Sequence, residues 1–197
     1  MKKGIIALLG ILGIAVLAVL YSIRVYNNLF GMNQGVSASW AQVENQYQRR
    51  ADLIPNLVNT VKGFAAQERD VLTGVVEARA RATSIQVTKE VLEDPDAFAK
   101  FQSAQDQFSS AISRLMAVSE NYPTLRSNEN FLSLQSELAG TENRISVERK
   151  RYNEVVQGYN TKRGRFPGVL IATITGFREK AYFKAKEGAD APPPVTF

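Results

Sequence analysis

The chain contains neither cysteine nor histidine. The first absence excludes disulfides, thiolate nucleophiles and cysteine metal sites. The second removes the commonest general base and the commonest metal ligand. An enzyme built on this chain would work with carboxylates, Lys, Tyr, Ser or Thr alone, and no catalytic constellation of these residues stands out. A phosphate-cradling loop is missing too, because Gly158 and Gly164 match no nucleotide fingerprint. The reading is therefore non-enzymatic: no catalytic residues, no metal, no cofactor and no small-molecule substrate. Proline is scarce between residues 24 and 166, where only Pro55, Pro95 and Pro123 occur. Disorder is excluded as well, since 45% of the chain is hydrophobic and 22% charged, a globular balance.

What is present begins with an apolar run. Met1-Lys2-Lys3 precedes GIIALLGILGIAVLAVLYSI, Gly4 to Ile23, which holds no charge. Twenty residues rising about 1.5 Å each span roughly 30 Å, the hydrocarbon thickness of a bilayer. The run is long for a signal-peptide core and no small-x-small cleavage site follows it, which favours an uncleaved signal anchor. Arg24 and Tyr26 suit the membrane interface. Lys2 and Lys3 favour a cytoplasmic N-terminus and a body on the other side, with Arg24 opposing them. Ala7, Gly10 and Gly13 recur every three residues and offer a helix-packing face, although no GxxxG is present.

The prolines divide the remainder into four segments, each with an apolar stripe at helical spacing. These are Leu29, Val36, Trp40, Val43 and Tyr47; Ile54, Leu57, Val61, Phe64, Leu72 and Val75; Phe98, Phe101, Phe108, Ile112, Leu115 and Tyr122; and Phe131, Leu134, Leu138, Ile145, Tyr152, Val155 and Tyr159. Asp52 and Asp94 are placed to cap helices entered through Pro55 and Pro95, and Ser127 or Asn128 to cap the fourth. Gly31 and Gly35 are expected to loosen the join to the anchor. Short connections between similar helices predict an all-α protein: an N-terminal transmembrane helix, then an up-and-down antiparallel four-helix bundle. The expected layout is an anchor over 1–30, a bundle over 31–165 and a membrane-proximal segment and tail over 166–197.

In that topology the fourth helix returns toward the membrane. Phe166-Pro167-Gly168 then leads into VLIATITGF, too short to span. Two readings stay open: an element packed on the base of the bundle, or a segment lying on the bilayer with basic flanks on headgroups. The second nominates Arg163, Arg165, Phe166, Val169, Leu170, Ile171, Phe177, Arg178 and Lys180 as membrane-surface residues. From Glu142 to Glu187 there are eleven basic residues against five acidic ones. Such an excess faces anionic lipid, nucleic acid or an acidic partner, or is simply a solvated face. The anchor turns the choice away from nucleic acid.

Four charges fall on the apolar stripes: Arg50, Glu68, Arg79 and Glu148. A charge carried into a core must be paired. Helical rise places Glu68, Glu148 and Arg79 about 24, 31 and 40 Å from the far end of the bundle. The expectation is an Arg79–Glu148 ion pair that fixes register more than it stabilises. A di-metal site is the weaker alternative, as the usual Glu-x-x-His pattern needs histidine.

WAQVENQYQRRADLIPNLVNTVKGFAAQE (40–68), EARARA (77–82), NYPTLRSNENFLSLQSELAGTENRI (121–145) and RYNEVVQGYNTKRGRFPGVLIATITGF (151–177) together resemble the LemA family. The resemblance is colinear and covers nearly the whole chain. It implies a bacterial membrane protein with a helical-bundle domain. It carries over no catalytic residue, because the family's motifs have no assigned catalytic roles; one branch acts in magnetosome membrane biogenesis. The combined expectation is a single-pass protein of the bacterial plasma membrane, with its body on the periplasmic side. It would contact lipid and form a homo-oligomeric scaffold. The runner-up is a tethered adaptor or sensor whose bundle binds another protein.

Overall fold

The computed structural model describes residues 2–185, with side chains from residue 4 onward. Seven α-helices and one 3-10 turn occur among the described residues, and no strand. They are α1 (Lys2–Phe64), α2 (Arg69–Ser84), α3 (Lys89–Glu93), α4 (Pro95–Val118), α5 (Pro123–Arg126), α6 (Glu129–Gly164) and α7 (Gly168–Thr175). The all-α class and the long helices are as the periodicity predicts. The helix boundaries differ in one instructive place. Instead of a break at Asp52–Pro55, α1 runs unbroken for 63 residues with Pro55 inside it. Gly31 and Gly35 lie within the same helix, so the expected loose join is absent.

An internal proline normally ends a helix because it cannot donate to the carbonyl four residues back. Here that carbonyl belongs to Ala51, which is buried. The guanidinium of Arg79 supplies the missing donor, Nε to the Ala51 oxygen at 2.7 Å. The buried acceptor is satisfied, and the helix continues. The chain breaks instead at residues 65–68, before α2. The other boundaries follow local chemistry. Asp94 Oδ1 accepts from the backbone N–H groups of Asp96 and Ala97, and Asn128 Oδ1 accepts from that of Phe131.

The contacts divide the described residues into two compact units, 2–48 with 144–180 and 49–143 with 181–185. In the second unit the last part of α1, α2, α4 and the first part of α6 form the four-helix core. Leu57, Val61, Val75, Phe108, Leu115, Leu125, Phe131 and Leu138 are among its buried residues. The stripes predict most of them; Phe64 is the exception and is exposed. Residues 181–185 belong to this unit. Phe183 packs on Phe98 with ring centroids 4.8 Å apart, and Gln102 exchanges two hydrogen bonds with the backbone of Lys184.

In the first unit the early part of α1 and the late part of α6 run antiparallel. Successive contacts show this: Arg149 Nε donates to the Tyr47 hydroxyl, Trp40 meets Tyr152 edge-on, and Gly158 faces Met32. Val156 takes the buried position in this seam, while Val155 is exposed. The apolar residues of α1 from Ile5 to Ile23 are all exposed, and this helix is long and apolar enough to cross a membrane.

Candidate membrane-contact site

The first unit places α7 beside the end of the apolar run. Ala172 is buried against Val25 and Leu29, with Ile171 and Phe177 packed on the same cluster. The Phe177 ring also lies 5.7 Å from that of Tyr26. The approach is steric as much as apolar. A side-chain carbon on Gly168 would collide with the backbone carbonyl of Lys162, so only glycine can enter the turn between α6 and α7. Gly176 ends α7 in the left-handed conformation, φ 76°.

Beyond α7 the chain is pinned by polar contacts. Arg163 Nε donates to the Phe177 carbonyl at 3.0 Å, and the Tyr159 hydroxyl donates to the Arg178 carbonyl at 2.8 Å. Asn160 uses both ends of its amide on the backbone of Lys180. These contacts correct one expectation. Lys180 was expected on a membrane-facing surface, yet it is only 3% exposed, with its ammonium 5.9 Å from the Tyr159 ring centroid. Its backbone is fastened to Asn160, so its stem lies along the seam and not on the surface. Arg163 also works inward.

The remaining residues nominated for a membrane surface divide by burial. Ile171 and Phe177 face the α1 cluster and are partly buried. Phe166, Val169, Leu170, Arg165 and Arg178 are exposed. Ile174, not singled out from the sequence, is 81% exposed and Phe166 80%. Leaving such side chains in water forfeits on the order of 1.5–3 kcal/mol each relative to burial. The packing of α7 on α1 matches the reading of an element packed on the protein, while its other side stays exposed and presents bare apolar residues.

A cavity of about 630 Å³ opens beside this helix, lined by Val25, Met32, Glu154, Gln157, Gly158, Thr161, Lys162, Arg165, Phe166, Pro167 and Gly168. Its one acid, Glu154, pairs with Lys150 at 3.9 Å.

The four charges on the stripes follow a different pattern from the expected pair. Arg79 serves the Ala51 carbonyl, and Glu148 accepts from Arg151 at 2.8 Å. Each has its partner within its own unit, so the Arg79–Glu148 ion pair does not form. The proline at residue 55 is the reason, because it creates the acceptor that claims Arg79. Glu68 accepts a 2.9 Å hydrogen bond from the Tyr122 hydroxyl, which itself accepts from Gln67. That bond to a carboxylate raises the Tyr122 pKa above its ordinary value. Arg50 is fully buried and donates to Ser109 at 2.7 Å, Glu142 at 2.8 Å and Gln105, above the Phe108 ring. Gln105 passes the connection to the Ala82 carbonyl at 3.1 Å. One guanidinium thereby ties α1, α2, α4 and α6. Its position on an apolar stripe marked it in the sequence, whereas its partner Glu142, 40% exposed along its side chain, carried no signal.

Comparison with known proteins agrees with this architecture. The LemA family model matches residues 39–197. Magnetosome protein MamQ 2 of Paramagnetospirillum magneticum is 29% identical over 183 residues, covering 85% of this chain and 67% of the relative. Magnetosome protein MamQ of Magnetospirillum gryphiswaldense is 28% identical over the same length and shares. The chain belongs to the LemA family.

Proposed function

We propose that this LemA-family chain is a non-enzymatic scaffold of the bacterial plasma membrane. Its α1 spans the bilayer once, its body lies on the periplasmic side, and it self-associates. The observation that carries the reading is the placement of α7. Its exposed Phe166, Leu170 and Ile174 sit on an element packed against Val25 and Leu29, just past the apolar run. A bilayer adjoining Ile23 would cover them without any rearrangement of the fold. Attachment at two places fixes how the body meets the surface, which favours ordered assembly over a free tether. The open surfaces at Gly10 and Gly13 support contact between spans. The matched relatives' names, magnetosome proteins, denote no enzyme and agree with a membrane-organising role.

Two measurements test this. With the full chain in lipid nanodiscs, Ile174→Trp should be quenched by brominated acyl chains; fluorescence indifferent to bromine would sink the second contact. Mass measurement after gentle detergent extraction should give a multimer. A monomer at every concentration would sink the scaffold.

A second reading, an adaptor binding another protein, is favoured by one feature of the second unit. Val58, Leu72 and Val76 line a shallow groove of about 560 Å³ bordered by Lys62 and Arg69. Crosslinking in cells discriminates, because a single heterologous partner at fixed stoichiometry favours the adaptor and self-crosslinks favour the scaffold.

A further inference from the structure

We infer that the cavity between the end of α6 and α7 is a binding site for the headgroup of an anionic phospholipid, with Arg165 and Lys162 as its phosphate ligands. This deepens the proposed function and rests on its reading that α1 spans the bilayer. The first argument is depth. Val25, in the cavity wall, is two residues past Ile23, and Met32 nine. At helical rise these lie about 3 and 14 Å beyond the hydrocarbon edge. A bilayer adds roughly 5–8 Å of headgroup layer on each side of its hydrocarbon. The end of the cavity at Val25 therefore falls within the layer where lipid phosphates lie, and the end at Met32 reaches past it toward water.

The second argument is chemistry. Lys162 and Arg165 are exposed, and no acidic side chain among the described residues pairs with either. The only carboxylate in the wall, Glu154, is already engaged by Lys150. Net charge at the cavity is thus positive. Thr161 and Lys162 lie in the last turn of α6 and Arg165 directly follows it, its backbone N–H donating to the Thr161 carbonyl at 3.2 Å, and all three line the same cavity. A planar guanidinium takes two phosphate oxygens at once, and the ammonium adds a point charge. The third argument is the mixed lining. Phe166 and Val25 give the same cavity an apolar side, which suits the glycerol and first methylenes of a lipid but offers nothing to a free inorganic anion. A volume of about 630 Å³ is of the size that encloses a headgroup.

The test reconstitutes the full chain in nanodiscs of equal phosphatidylglycerol and phosphatidylcholine. Mild extraction and native mass spectrometry then count the lipids retained. Phosphatidylglycerol should be retained over phosphatidylcholine by about tenfold, the worth of one charge-assisted contact. Lys162→Gln with Arg165→Gln should bring the ratio near parity. Both side chains are exposed, so the fold should be kept. Arg126→Gln, equally exposed but in the second unit and outside the cavity, should leave the ratio unchanged. No preference in the unaltered chain overturns the proposal, as does equal loss in the Arg126 variant. Displacement of the lipid by excess inorganic phosphate, with phosphate then retained alone, also overturns it in favour of a soluble anion. Bromolipid quenching of Ile174→Trp, read in the same discs, reports the underlying membrane contact separately. Quenching without lipid preference therefore rejects the cavity and keeps the second contact.

Discussion

The two units use aromatic rings differently. Among the described residues, every buried phenylalanine, Phe98, Phe101, Phe108, Phe131 and Phe183, belongs to the unit with four helices. Every buried tyrosine, Tyr47, Tyr152 and Tyr159, and the one tryptophan, Trp40, belong to the unit in which α1 and α6 pair. Four helices enclose a volume in which a whole ring disappears, and a hydroxyl there would need a buried partner. Two helices enclose only a seam. A ring laid across it is buried, but its hydroxyl comes within reach of polar groups flanking the helix pair, so tyrosine can gain a hydrogen bond there. Tyr47 accepts from Arg149 at 2.6 Å, and Tyr159 donates to the Arg178 carbonyl. The choice between Phe and Tyr thus records how thick the fold is at each level.

The units also differ in how damage should spread. In the four-helix unit, Arg50 connects the four core helices, so Arg50→Ala leaves a cavity and removes the donor that Gln105 Oε1 and Ser109 Oγ accept from. The expected cost is about 3–5 kcal/mol, read as a large fall in the denaturation midpoint of the whole unit. Arg50→Met, which keeps volume without charge, should recover much of that loss. Failure of Met to outperform Ala would mean that the guanidinium's hydrogen bonds, not its packing volume, hold these helices. Arg79→Ala is the next largest, at about 1–3 kcal/mol for an unsatisfied buried carbonyl. Its partner variant is Pro55→Ala, which restores the helical N–H to Ala51. In the Pro55→Ala background, removing Arg79 should cost appreciably less, and a double-mutant cycle measures the difference. Full additivity would reject the compensation.

That pair also marks how far the sequence could be read. The apolar stripes and the caps at Asp94 and Asn128 were legible because they rest on interactions within one turn or on helical spacing alone. The uninterrupted path through Pro55 was not, since its compensation comes from Arg79, 28 positions away in sequence. The same holds at the candidate membrane-contact site. The apolar Val169–Phe177 segment and the exposed Phe166 and Leu170 were legible from composition. The burial of Lys180 was not, because it depends on Asn160, 20 positions earlier, closing on its backbone. Charged side chains are read poorly for a general reason: stem and head can take different environments, and only tertiary contacts decide which.

The paired-helix unit should lose structure locally. Gly168→Ala cannot be accommodated without moving the backbone at Lys162, so α7 should lift from Val25 and Leu29. Hydrogen exchange across 168–177 should accelerate on the order of tenfold, while the four-helix core keeps its protection. Global unfolding from this one substitution would break the distinction between a cooperative core and a peelable seam.

The finest comparison is between two tyrosines, one in each unit. Tyr122 donates to Glu68, and ionising it would set a phenolate against a carboxylate; Tyr152 is held neutral by burial. Both pKa values are raised above 10.0. A raised folded pKa means that the stabilisation is complete below the unfolded value. It is lost as pH climbs through the folded one. Both units should therefore weaken in alkali, by different causes. Tyr122→Phe should lower stability slightly at neutral pH and flatten the alkaline decline that sets in near pH 10 for the four-helix unit alone. The paired-helix unit, followed through Trp40 fluorescence, should decline unchanged in that variant, because Tyr152 is untouched. If Tyr122→Phe left the four-helix decline as steep as before, the Glu68 contact would not be its cause.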